Sequence, residues 1–222
     1  MWRLPEPELM DDPAQAKAYA DADFSEPNAL FSDIFNARFG SVDVGGYVLD
    51  LGCGPADIAI RLARANPRCR VHGVDGSEPM LRMATKRIVN ASLAERIALF
   101  QCTLPRVVVP RACYDAVISN SLLHHLADPR ALWNTIKRLA RPGAPILVMD
   151  LVRPPGHNEV ERLVRVYAAD APAVLRKDFE RSLLAAYSVD EVLEQLAVAG
   201  FDYLDVQLVS DRHFTVAGRF QG

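Results

Sequence analysis

From residue 47 onward the chain alternates between short apolar runs and stretches whose apolar positions recur every three or four residues. The runs at 47–51, 69–75, 97–101, 114–119 and 146–151 read as buried strands, each bounded by turn residues. Between them, 58–65, 80–89 and 129–140 read as amphipathic helices, the last stopped by Arg141-Pro142-Gly143. Repeated strand–helix alternation argues for a doubly wound, mostly parallel sheet. Ahead of it, residues 8–40 are polar and Ala-rich, with Leu30, Phe31, Ile34, Phe35 and Phe39 at helical spacing. Two helices are expected there, broken at 23–28, where Pro27 disfavours helix at the preceding residue and Ser25 or Asn28 can cap the second helix.

Beyond the fifth strand, residues 156–186 keep helical spacing, are divided by Pro172, and are too long for a simple crossover. They read as a helical insertion. Ser188-Val189-Asp190-Glu191 has the form of a capping box, opening a helix that Gly200 closes. Strands at 201–209 and 213–220 complete a seven-stranded Rossmann-like α/β sheet with an antiparallel C-terminal strand. The expected organisation is a single domain, 1–222, with an N-terminal helical cap (1–40), a central core (47–151) and the insertion (156–187).

Composition narrows the class. Half of the 222 residues are hydrophobic and 24% are charged, the balance of an ordinary globular chain. A net charge of −3 and a pI near 6.0 give no general basic field for nucleic-acid phosphates. The apolar stretches are shorter than a bilayer span, and the N-terminus lacks a basic start followed by an apolar run, so a cytoplasmic protein without membrane or nucleic-acid partners is expected. Cys53, Cys69, Cys102 and Cys113 form no CxxC pair, which points to reduced thiols and to no metal.

Candidate chemistry concentrates in Val48-Leu49-Asp50-Leu51-Gly52-Cys53-Gly54-Pro55-Ala56-Asp57, where a strand ends in an acid and runs through G-x-G into a helix. Glycines permit close approach of a ligand, and the helix start offers free N–H groups. A dinucleotide site would want a third glycine or alanine where Asp57 stands, and an acid at the first strand end repels a pyrophosphate. The same acid suits the ammonium and sulfonium of S-adenosylmethionine. The next strand ends in Val74-Asp75-Gly76-Ser77, which puts a carboxylate where a nucleoside ribose is met. Capping the adjoining helix is the competing role for Asp75, and Ser77 fills that better. Met80 has two readings, a cover for adenine or a core methionine.

The segments VLDLGCGPADIAI (48–60), VHGVDGSEPML (71–81), YDAVISNSLLHHLADP (114–129) and LARPGAPILVMDLVRP (139–154), in this order, resemble the class I S-adenosylmethionine-dependent methyltransferases of the methyltransferase type 11 group. The resemblance implies that Asp50, Gly52, Cys53 and Gly54 line the methionine end of the cofactor, that Asp75 and Gly76 meet its ribose, and that Gln101 or Cys102 reaches the adenine edge. Many relatives carry an aspartate there, where this chain has Gln101-Cys102-Thr103. Asn120 falls at the mouth between cofactor and acceptor, either orienting a ligand or closing a strand-end turn. His124 and His125 invite a general-base role, yet HHLADP recurs in this superfamily without implying catalysis, and neither histidine is expected to be individually essential.

Relatives build acceptor pockets from the N-terminal helices, the segment after the fifth strand and the insertion. Here these offer Tyr19 and Phe24, Arg153 and Tyr187 as substrate-binding candidates, with Tyr19, Asn120 and His124 as catalytic ones. The expected function is methyl transfer to an unidentified small molecule. Two alternatives stand beside it. Convergence of Arg153, Arg162, Arg165, Arg176, Arg181 or Arg212 would suit an anionic acceptor or a carboxyl transfer to the sulfonium, and a non-catalytic cofactor-binding subunit would show an eroded glycine turn.

Overall fold

The computed structural model describes residues 1–7, 9–40 and 46–222; Glu8, where the first helical stretch was expected to begin, and residues 41–45 lie outside the described residues. Seven strands, β1 (Tyr47–Leu51), β2 (Arg70–Asp75), β3 (Ile97–Gln101), β4 (Ala116–Asn120), β5 (Pro145–Leu151), β6 (Asp205–Leu208) and β7 (His213–Arg219), form one sheet in the order β3-β2-β1-β4-β5-β7-β6. All neighbours from β3 to β5 pair in parallel, and β7 runs antiparallel to both β5 and β6. The chain steps outward from β1 to β2 and β3, then returns to place β4 on the other side. That reversal opens a crevice beyond the carboxyl ends of β1 and β4, where open α/β sheets bind ligands.

Both faces are covered, which is why the strands read as continuous apolar runs. Leu49 and Leu51 point with Val117 and Val148 to the side closed by α5 (Arg130–Leu139) and α8 (Val189–Ala199), through Trp133, Ile136 and Leu196. Val48, Val71, Ile118 and Met149 point to the other side. There α2 (Ser25–Phe39), α3 (Asp57–Ala65) and α4 (Glu78–Asn90) bury Phe31, Phe35, Ile58 and Ile88. The insertion is α6 (His157–Tyr167) and α7 (Ala173–Ala185), which pack Val160, Leu163 and Leu183 against Leu151. Among the described residues, no helix is long and apolar enough to cross a membrane.

Several local expectations need correction. The expected strand from 114 begins at Ala116, because Tyr114 makes only an isolated bridge to Ala140 and directs its hydroxyl to His72 Nδ1, 2.8 Å away. The strand expected from 201 shrinks to β6: Phe201 instead donates its N–H to Leu196 O, closing α8 beyond Gly200. α1 (Pro13–Asp21) is capped by Asp12. Neither Ser25 nor Asn28 caps α2; Asp23 Oδ1 accepts from Ser25 N at 2.8 Å, and Pro27 lies inside the first turn, where a helix has no use for its N–H.

The N-terminal segment crosses the open edge of the crevice. Leu4 N donates to Leu184 O at 2.9 Å. The Arg3 guanidinium donates to Ala185 O, His124 O and Leu126 O at 2.5, 2.8 and 3.0 Å. Further along, Ser77 Oγ donates to Met10 O at 2.7 Å, so the segment is held from both the insertion and the start of α4.

Candidate active site

The floor of the crevice is the turn leaving β1. Gly52 has φ +73, and a Cβ there would meet Leu122 at 2.9 Å, so both conformation and space demand glycine. Gly54 has φ +48. Gly52 N and Cys53 N both donate to Val74 O, tying the turn to β2. Asp75 braces it further: Oδ2 accepts from Gly54 N and Oδ1 from Ser77 N, each at 2.8 Å, while Ser77 Oγ caps α4 by accepting from Met80 N. The competing capping role considered for Asp75 is thus taken by Ser77. With the Gly76 N–H as a third backbone donor, the Asp75 carboxylate still has acceptor capacity left for a ligand hydroxyl.

Asp50 is 1% exposed, and its Oδ2 has no hydrogen-bond partner. Burial, aided by the neighbouring Asp75 charge, pushes its carboxyl up to about 7. Burial also raises Asp75, against the pull of the N–H groups of Ser77 and Gly54. Two close acids, one with an unpaired buried oxygen, favour a cationic ligand group that restores the charge on Asp50. The same surroundings raise the Cys53 thiol, first by burial and then by Asp50, so it is no nucleophile.

At the end of β4, Asn120 lines the crevice with a buried, unpartnered Oδ1. Ser121 comes next at φ +56, a strained position of the sort found beside binding sites. Ser119 is structural, donating to Leu51 O at 2.9 Å. A 3-10 turn at Leu123–His125, unforeseen from the sequence, separates the two histidines. His124 is buried outside the lining; its Nδ1 bonds Asp150 Oδ1, and its Nε2 lies 3.5 Å from Glu6 Oε1. Burial opposes charge on His124, but the Asp150 and Glu6 carboxylates overcome it and raise the ring. His125 lines the cavity, and burial lowers its ring to about 3, the charge on His124 adding to this. Donor atoms of Glu6, His124 and His125 lie within 4.8 Å of one another. An imidazolium between two carboxylates supplies the cation this cluster needs, so it reads as an ion-pair network.

The roof comes from the N-terminal region. Leu9, Met10, Tyr19, Phe24 and Asn28 face the floor residues across one cavity. Tyr19 and Phe24 stack with ring centroids 4.6 Å apart. Burial and the nearby Asp57 and Asp75 push the Tyr19 hydroxyl up to about 12, which keeps it a donor. The cavity therefore brings together Asp50, Gly52, Cys53, Gly54, Asp75, Gly76, Met80, Asn120, Tyr19 and Phe24. Gln101 and Cys102 line an adjoining open hollow that shares Gly76 and Thr103 with it.

Besides His124, two substrate-binding candidates lie elsewhere. Arg153 pairs with Glu191 at 2.7 Å, and Tyr187 donates to Leu126 O at 2.9 Å beneath the Arg3 guanidinium. The arginine convergence that would have suited an anionic acceptor or carboxyl transfer does not form among the described lining residues of the cavity. Arg162 pairs with Glu159 and Asp211, Arg212 stacks over Tyr167, and no Lys or Arg is among the described lining residues. Sequence reasoning missed Leu9, Met10, Leu122, Leu126 and the separation of His125 from His124. The adjacent apolar pair Leu9-Met10 in a polar, Pro-rich stretch was the available signal.

A family model described as a methyltransferase domain matches residues 48–143. An uncharacterized methyltransferase of Mycobacterium tuberculosis is 32% identical over 149 residues, covering 67% of this chain and 73% of that protein. The 27-O-demethylrifamycin SV methyltransferase of Amycolatopsis mediterranei is 30% identical over 161 residues, covering 71% of this chain and 54% of that protein. Among solved structures, a SAM-dependent methyltransferase from Aquifex aeolicus superposes with a TM-score of 0.67 at 20% identity, covering 94% of this chain and 98% of that one.

Proposed function

The chain belongs to the class I S-adenosylmethionine-dependent methyltransferases, and from that premise we propose that it methylates a small molecule enclosed between the glycine turn and the N-terminal helices. The observation that carries this reading is a single cavity with the acids of β1 and β2 as floor and Leu9, Met10, Tyr19 and Phe24 as roof. A half-open cavity that mixes apolar side chains with directed polar groups suits a compact ligand. Relatives named for rifamycin and trans-aconitate methylation accord with a small acceptor.

The residues present fit the cofactor. The unpaired Asp50 oxygen and Asn120 Oδ1, beside glycines that leave backbone open, would hold its methionine end. Asp75 would hold the ribose, and Gln101 and Cys102 would flank the adenine. The cofactor supplies a methyl group on a sulfonium, an already activated leaving group. What remains for the protein is orientation: holding nucleophile and methyl in line, in a site closed from water, is worth several kcal/mol. Tyr19 and Phe24 exclude water, and Asn120 orients.

Neither alternative gains support. Carboxyl transfer to the sulfonium would want cations in the wall, and none lines it among the described residues; a non-catalytic subunit would want a damaged turn, and Gly52, Gly54 and Asp75 form an intact one. The test is a metabolite extract incubated with the protein and methyl-labelled cofactor. Label in a small molecule is expected. Label confined to RNA or protein would reject the enclosed acceptor, and cofactor consumption without a labelled product would favour the carboxyl-transfer reading.

A further inference from the structure

Away from the acids of the glycine turn, the described cavity wall includes Tyr19, Phe24, Leu122, Leu126 and His125; Tyr19 keeps its proton, which leaves the His125 ring as the side chain there able to accept one. Building on the methyl-transfer reading, we propose that the acceptor is an uncharged alcohol or phenol and that His125 is the base that receives its proton.

The wall selects by charge. A carboxylate acceptor would be desolvated with no cation to meet it, because no Lys or Arg is in the described lining. An ammonium acceptor would need a carboxylate outside the cofactor cradle. Asp57, the remaining acid among the described lining residues, is instead paired with Arg87. A hydroxyl requires only an acceptor for its proton, and His125 is placed to provide it. His125 Nδ1 is buried without a hydrogen-bond partner and lies 3.2 Å from Glu6 Oε1 without hydrogen-bond alignment, while the ring also meets the Pro7 backbone in a hydrogen bond. The charged groups facing the ring are Glu6 from the N-terminal segment, Asp150 from β5 and His124 from its own turn. The carboxylates of Glu6 and Asp150 favour the imidazolium that forms; His124 opposes it while itself held by both acids.

In the transfer, the acceptor oxygen bonds the methyl carbon and the carbon–sulfur bond breaks with its electron pair left on sulfur. The hydroxyl proton passes to a ring nitrogen of His125. One positive charge enters on sulfonium and one leaves on imidazolium, so atoms and charge balance. As the carbon–oxygen bond forms, the hydroxyl becomes strongly acidic, so a ring of low basicity suffices. Glu6 acts as a positioning residue, orienting the ring and stabilising its charged form.

The test uses the full chain, methyl-labelled cofactor and a metabolite extract of the source cells, with the labelled product classed by chemistry. Neutral, alkali-stable ethers are expected. Label released as methanol by mild alkali marks an ester, and label in a cation marks an amine; either would overturn the hydroxyl assignment even if every variant misfolded. His125→Asn should slow transfer by about 100-fold or more, the scale of a lost general base, while cofactor affinity measured by calorimetry stays unchanged. The deficit should shrink at alkaline pH, as the acceptor ionises on its own. Glu6→Gln should lower kcat by roughly tenfold at little cost in KM and move the acid limb of the pH profile. Wild-type transfer by His125→Asn would overturn the base assignment, and absence of label from every small molecule would overturn the methyl-transfer reading together with this inference.

Discussion

Asp50 sits in the sheet with its carboxyl pushed up to about 7 and one oxygen unpaired. A raised acid contributes stability that is fully present below its unfolded value and is lost as pH rises through the folded one. The ligand-free protein should therefore lose stability between about pH 4 and 7, by on the order of 4 kcal/mol in total. Asp50→Asn should raise the Tm more at pH 8 than at pH 5 while weakening cofactor binding; a change in Tm equal at both pH values would contradict this assignment. Asp75→Ala removes the acceptor of two backbone N–H groups as well as the proposed ribose contact. It should cost about 3 kcal/mol in thermal or denaturant melts and more than about tenfold in cofactor affinity. An unchanged affinity would move the ribose contact to another residue. Both acids were legible in the sequence because strand-end acids around G-x-G are a local pattern. Which of two adjacent histidines faces the cavity was not legible, since a 3-10 turn set by Asp150 and Glu6 decides it.

At the scale of elements, the N-terminal segment and α1 form the roof and contribute little to the sheet. Deleting residues 1–24 removes Leu9, Met10, Tyr19 and Phe24 from the cavity but leaves Phe31 and Phe35 of α2 against the sheet. Turnover should vanish while the far-ultraviolet dichroism of the α/β core persists, and cofactor should shield Tyr19–Phe24 from proteolysis in the full chain. Retained turnover would show that the roof is dispensable. Ser188→Ala should cost about 1 kcal/mol by breaking the capping box of α8, without affecting transfer; a melt and an assay decide it. That cap and the Gly200 stop were readable because both partners lie within one helical turn. The start of α2 was less readable because Asp23, outside the helix, satisfies the first N–H group and leaves Pro27 in the tolerated first turn.

Across the whole molecule, the architecture was visible because a sheet buried on both faces needs apolar strands alternating with amphipathic helices, and that alternation survives in any single sequence. The reach of the N-terminal segment over the crevice was not visible. It rests on contacts such as Leu4 with Leu184, Arg3 with Leu126 and Ser77 with Met10, which leave no periodic trace in a polar, Pro-rich stretch. The same long-range contacts join the roof, the insertion and the glycine turn around one cavity, and the claim that this cavity is a cofactor site is open to a direct measurement. Calorimetric titration with S-adenosylmethionine at about pH 6.5, repeated in buffers of different ionisation enthalpy, should give one site per chain with micromolar-scale affinity. It should also show net proton release, as the ligand ammonium ionises Asp50. Folded protein that binds no S-adenosylmethionine, or binds NADH in its place, would contradict the account.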